Sequence, residues 1–179
     1  MGQYFLPALK KKGQKNWRTY CAHKFDCGLK LMEHSYVNNP LTIHIKKLLF
    51  ETPTKLVWAG DYAEPEKGKE DNIYVLGVEQ KIVPLDIELP EKYYLVNHTK
   101  KQFVDYSKIK ADEYGYRIDP MPLLCSEGNG EGGGDYYGKN MKLVGTWARD
   151  LISIEGEKPT GYQEVKPDFK ECDDWEDEE

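Results

Sequence analysis

The chain has 179 residues, 39% of them hydrophobic and 12% aromatic, and its 31 acidic against 25 basic side chains leave a net charge of −6. That length suits one domain, and that apolar content suffices for a core, which excludes a wholly disordered chain. No apolar run approaches the ~20 residues of a membrane helix, which excludes a membrane partner on this reading.

Along the chain, QYFLPAL (3–9) and WRTYCA (17–22) read as short strands joined by the polar turn KKKGQKN, with Pro7 marking an edge strand. GLKLMEHSYV (28–37) fits either strand alternation or a helix face. NPLTIHIKKLLFE predicts a helix over about 40–51: Asn39 is an N-cap, Pro40 stands at the first helical position, and Leu41, Ile45, Leu48 and Leu49 form one stripe. His44, Lys46 and Lys47 are predicted to point away from that stripe. KLVWAG (55–60) and IYVLG (73–77) read as strands, and KYYLVNHTKKQFVDYS (92–107) as a hairpin turning at NHTKK. DEYGYRIDPMP (112–122) reads as a loop, and MKLVGTWARDLISI (141–154) as one or two strands. Strands outnumber helices without regular alternation, so the expected fold is α+β: a mostly antiparallel sheet, one clear helix and long loops.

Charge is unevenly spread. Residues 1–59 hold ten Lys and Arg against three Asp and Glu, whereas the final ECDDWEDEE holds seven acids and no base. The reading is one globular domain over 1–170 and an acidic, disordered tail over 171–179. The N-terminal MGQYFLPALKKKG puts apolar residues ahead of lysines, the reverse of a secretory signal, so a cytoplasmic location with reduced cysteines is expected. Cys21, His23, Cys27 and His34 match no standard zinc spacing, and no metal or cofactor is expected.

Two stretches carry the candidate chemistry. CSEGNGEGGGDYYG packs six glycines between Gly128 and Gly138, with Glu127, Glu131 and Asp135 among them. It lacks the Gly-Lys-Ser/Thr of a phosphate loop, and a strand-like segment follows where a dinucleotide fold needs a helix. It is therefore either a turn approached closely by other backbone or a ligand-contacting loop, with Asn129 and Asp135 as donors for a hard cation in a third reading. WAGDYAE (58–64) is the second stretch, with Trp58, Asp61, Tyr62 and Glu64 at a strand end. The two are expected to meet in a concave ligand site of Trp58, Asp61, Tyr62, Glu64, Asn129, Gly132, Gly133, Gly134, Asp135, Tyr136 and Trp147. No catalytic triad signature is present.

GLKLMEHSYV, VWAGDYAE, YLVNHTKKQFVDYS, PLLCSEGNGEGGGDYYG and VGTWARDLISIE, with MGQYFLP at the start, together resemble a family of small proteins encoded by bacteria, their phages and other mobile elements. The resemblance spans roughly 1–170. It implies an intracellular single-domain protein of mobile-element origin and carries over no activity and no catalytic residue. Where family members often have a basic residue in the glycine run, this chain has Glu131, which weakens a phosphate role.

The preferred reading is a non-enzymatic binding protein. It takes up a small anionic or nucleotide-like ligand, or blocks a host partner protein in an anti-defence role that is implied by analogy. The alternative is a small metal-dependent hydrolase using Asp61, Glu64, His98 and Asp135, which requires the four to converge. Net charge and the acidic tail argue against nucleic acid as a partner.

Overall fold

In a computed structural model of the protein, residues 2–130, 132 and 134–172 are described. The predicted contact residue Gly133 and residues 173–179 of the expected tail lie outside them, whereas the tail's first two residues, Glu171 and Cys172, are ordered against Gly138 and Tyr137.

The elements in chain order are β1 (Phe5–Lys10), β2 (Arg18–Thr19), α1 (Leu31–His34), α2 (Pro40–Leu49), β3 (Thr54–Gly60), α3 (Ile73–Leu76), β4 (Val78–Glu79), β5 (Tyr94–Asn97), β6 (Gln102–Asp105), α4 (Pro120–Leu124), β7 (Ser126–Glu127), β8 (Leu151–Glu155) and β9 (Gln163–Glu164). The strands form one mixed sheet in the order β4-β2-β1-β3-β8-β5-β6-β9, with β7 added beside β3. The spine from β2 to β6 is antiparallel, while β4, β7 and β9 pair in parallel. This is the expected α+β class, and α2 is the only helix longer than five residues among those described.

α2 forms where its caps predict. Asn39 Oδ1 accepts from Thr42 N–H at 3.0 Å, Pro40 opens the first turn, and Leu41, Ile45 and Leu49 are fully buried. Burying each such side chain contributes about 1.5–3 kcal/mol. Lys46 departs from the reading, because it is buried too: its ammonium sits 2.5 Å from Asp119 Oδ2. β3 is central, and its side chains alternate with the pleat. Leu56 and Trp58 face the main core with α1, α2 and α4, and Val57 and Ala59 face a smaller cluster with Ile73.

Four local expectations are corrected. β1 is not an edge strand despite Pro7, because it pairs with β2 on one side and β3 on the other. IYVLG is not a strand but the short helix α3, because Asn72 Oδ1 accepts from Val75 N–H and caps it. The 112–122 loop ends in α4, where Asp119 caps Met121 N–H ahead of Pro120. MKLVGTWARDLISI becomes strand only from Leu151, since Gly145 (φ 78°) and Arg149 (φ 68°) break the extended path. Among the described residues, no helix is long and apolar enough to cross a membrane.

Candidate functional site

The glycine run does meet the strand-end loop, but the space between them is filled. β1 lies antiparallel to β3 with Phe5 opposite Gly60, so the chain start is carried up to the end of β3. There Asp61 Oδ1 accepts from Tyr4 N–H at 2.9 Å, and Tyr4 C=O accepts from Asp61 N–H at 2.9 Å. One residue earlier, Gln3 is fully buried. Its Nε2 donates to Asp135 Oδ2 at 2.9 Å and to Asn129 Oδ1 at 3.1 Å. A Cβ on Gly132 would lie 2.2 Å from Gln3 Cβ and 2.5 Å from Gln3 N, and one on Gly128 would lie 2.3 Å from Gln3 Oε1. Gln3 is thus the group that these glycines admit.

Asp135 is electrostatically loaded. Burial pushes its carboxyl pKa up, hydrogen bonds from Gly132 N–H and Gln3 pull it down, and the Asp61 charge adds to the rise. Asp135 is bonded to Gln3 and Asp61 to Tyr4, so consecutive residues of the chain start hold the two carboxylates. Asp135 Oδ1 is buried and meets no donor among the described residues. Gly134 backs onto Lys30, and its carbonyl accepts from Met32 N–H, which ties the run to α1.

The aromatic walls expected of this site are placed in the core. Trp58 is fully buried and its indole N–H donates to His34 Nδ1 at 3.0 Å; His34 Nε2–H donates to Gly28 C=O at 2.7 Å. His34 thus engages both ring nitrogens and is not available to a set with Cys21, His23 and Cys27. Trp147 is buried, donating to Gln102 Oε1 at 3.1 Å. Tyr136 is buried; its hydroxyl donates its one proton to the Lys139 carbonyl at 2.5 Å, lies 2.9 Å from the Lys170 carbonyl, and accepts from Lys170 N–H at 3.0 Å. Burial pushes its phenol up to about 12. Tyr62 and Glu64 are exposed, as is Asn129.

Nor do the four hydrolase candidates converge. His98 N–H donates to Leu151 C=O, and Leu151 pairs with Lys55 near the start of β3, whereas Asp61 follows its end. Six residues of strand, about 20 Å, separate the two. His98 is half-buried rather than solvated. Its Nδ1 lies 3.1 Å from Tyr162 Oη and its Nε2 2.7 Å from Ser153 Oγ, which donates to Glu155. No group of three or more metal-ligating side chains stands together among the described residues.

A separate concavity lies elsewhere. A groove of about 840 Å³ runs between the 105–118 connector and the 164–171 segment. Val104, Ile118, Pro120, Phe169 and Tyr36 give it apolar and aromatic surface, and Tyr114 and Tyr116 stand out at 78% and 61% exposure. Tyr36 and Tyr116 rings are 5.7 Å apart and tilted. Six carboxylates and four lysines line it, which disfavours a free anion. One wall is the end strand of the sheet. Gln163 and Val165 turn their N–H groups to Lys101 and Phe103 of the β6 side, so the Glu164 backbone between them faces out. Among the described residues it has no backbone partner.

The residues of this groove went unnoticed in the sequence. The usable signal was DEYGYRID, two tyrosines around a glycine in a polar stretch. No family model matches the chain, and neither a curated protein nor a solved structure matches it.

Proposed function

We propose that the chain is a non-enzymatic binding protein whose recognition surface is the 105–118/164–171 groove. Its occupant is an extended segment of a partner protein. The outward-facing backbone of Glu164, a residue that borders the groove at an edge of β9 with no strand partner among the described residues, carries this reading: an added strand would take up that N–H and C=O. The aromatic floor would take alternate apolar side chains of the segment. The excess of carboxylates favours basic residues between them. If the chain has the mobile-element origin that its resemblance implies, the partner would be a host protein and binding would block it.

The test is selection of random displayed peptides on the immobilised protein, followed by counter-selection on the double variant Tyr114→Ala, Tyr116→Ala. The reading expects peptides of alternating apolar and basic character that bind the parent and lose the variant. Peptides that bind both proteins equally would sink it.

A further inference from the structure

Beside the groove, and sharing Ile109 with it, lies a hollow of about 310 Å³. Tyr93, Tyr106, Ser107 and Arg117 line it, with the exposed Glu91 also on its border. Behind the two tyrosines is the buried Lys46. Its Nζ lies 4.4 Å from the Tyr106 ring centroid and 5.4 Å from that of Tyr93, and it donates to Tyr93 Oη at 3.3 Å. An ammonium has only protons to give, so the Tyr93 oxygen is the acceptor and its own proton turns elsewhere. Among the described residues that proton meets no acceptor.

Arg117 presents the second unused donor. Its Nε donates to Ile109 C=O at 3.0 Å and its Nη2 to Tyr106 C=O at 2.5 Å. Both partners are neutral. Among the described residues Arg117 forms no ion pair, and its Nη1 is not engaged. The two carbonyls hold the guanidinium plane fixed, so little is lost in ordering it for a ligand. Ser107 Oγ donates its proton to Asp105 Oδ1 at 2.6 Å and offers only lone pairs to the hollow.

We propose that this hollow binds a small oxyanion, held by the Arg117 guanidinium and the Tyr93 hydroxyl, with a phosphate group favoured over a carboxylate. The preference comes from Ser107, whose lone pairs can accept the proton of a monoprotonated phosphate and find none on a carboxylate. Glu91 limits the site to a small, weakly charged anion, since a polyphosphate would bring further negative charge against it. The proposal is independent of the groove reading, because it concerns different donors and a different ligand class.

The experiment is a titration of the full chain with inorganic phosphate, and separately with acetate, against sodium chloride at matched ionic strength. The readout is the ¹H–¹⁵N resonance of Arg117 Nε–Hε. A saturable shift with phosphate, weaker with acetate, is expected. Arg117 also holds two backbone carbonyls, so the variant to use is Tyr93→Phe, which keeps the ring and removes one donor. It should weaken phosphate binding at least about tenfold, the loss of one hydrogen bond to a charged group. A phosphate shift no larger than that of chloride would overturn the proposal, as would an unchanged phosphate affinity in Tyr93→Phe.

Discussion

Replacing Gln3 by Met tests whether the glycine run is a cradle for the chain's own start. Met keeps the length of the side chain and its place between Gly128 and Gly132, but it removes the amide. The hydrogen bond from Nε2 to the Asp135 carboxylate is charge-assisted, and such bonds contribute about 1.5–3 kcal/mol. The second, to Asn129 Oδ1, is neutral and on an exposed residue, so it adds about 0.5 kcal/mol. Asp135 would retain the Gly132 N–H on Oδ2 while Oδ1 already lacks a donor, so the burial cost of the carboxylate falls on one bond. The expected loss is about 2–3 kcal/mol, or about 5–10 °C in melting temperature for a chain of this size. Differential scanning calorimetry with a urea titration reads both values. A shift below about 2 °C with an unchanged urea slope would refute the cradle, since a buried amide with two partners cannot be lost so cheaply.

Three other outcomes follow from the same geometry. Lys46→Met should cost about 3–5 kcal/mol in chemical denaturation, because it leaves the Asp119 carboxylate buried without its cation. Burial lowers the His34 pKa from its ordinary 6.5, so the folded protein keeps the imidazole neutral where the unfolded chain takes a proton. Its stability contribution is therefore complete above the unfolded value and is lost as pH falls below it toward the folded pKa. Melting temperatures across that range should fall with acid, and imidazole ¹⁵N shifts should report the Nε2–H tautomer of His34 at neutral pH. Tyr114→Ala and Tyr116→Ala should change stability by no more than about 0.5 kcal/mol, as exposed residues do, while abolishing binding of groove-selected peptides.

The parts of the fold that were legible in sequence are those with local causes. Asn39 and Pro40 mark the start of α2 within three residues of the groups they satisfy, and the 92–107 hairpin follows from alternation across a polar turn. β3 was readable because VWA is a continuous apolar run. What misled is also local. IYVLG is a short run of β-branched, aromatic and aliphatic residues that reads as a strand, and the side chain of Asn72 caps it as a helix. Lys46 carries a charge on a helix face that reads as solvent-facing, and its partner Asp119 is far away in sequence.

The site was less legible, for a physical reason. The glycines correctly announced a close approach, but the approaching group, Gln3, lies 126 residues from Asn129 and 132 from Asp135. Nothing in a run of glycines encodes what fills it. Two acid–aromatic junctions suggest that Asp61 and Asp135 meet, and in the fold they bond the consecutive residues Tyr4 and Gln3. Trp58 and Trp147 are core residues because they sit on or beside a strand buried on both faces, a property of the sheet order rather than of their own neighbours. The groove is built from segments with little periodicity, 105–118 and 164–171, so no pattern flagged it.

The most direct measurement is hydrogen exchange at the Glu164 amide, with and without a groove-selected peptide. In the free protein this N–H faces outward from the last strand of the sheet and should exchange readily. Pairing with an added strand should slow it at least about tenfold, while amides around Asn129 and Asp135 stay unchanged. Protection appearing instead in the Gly128–Gly138 run, with Glu164 unaffected, would contradict the account and return the binding surface to the glycine loop.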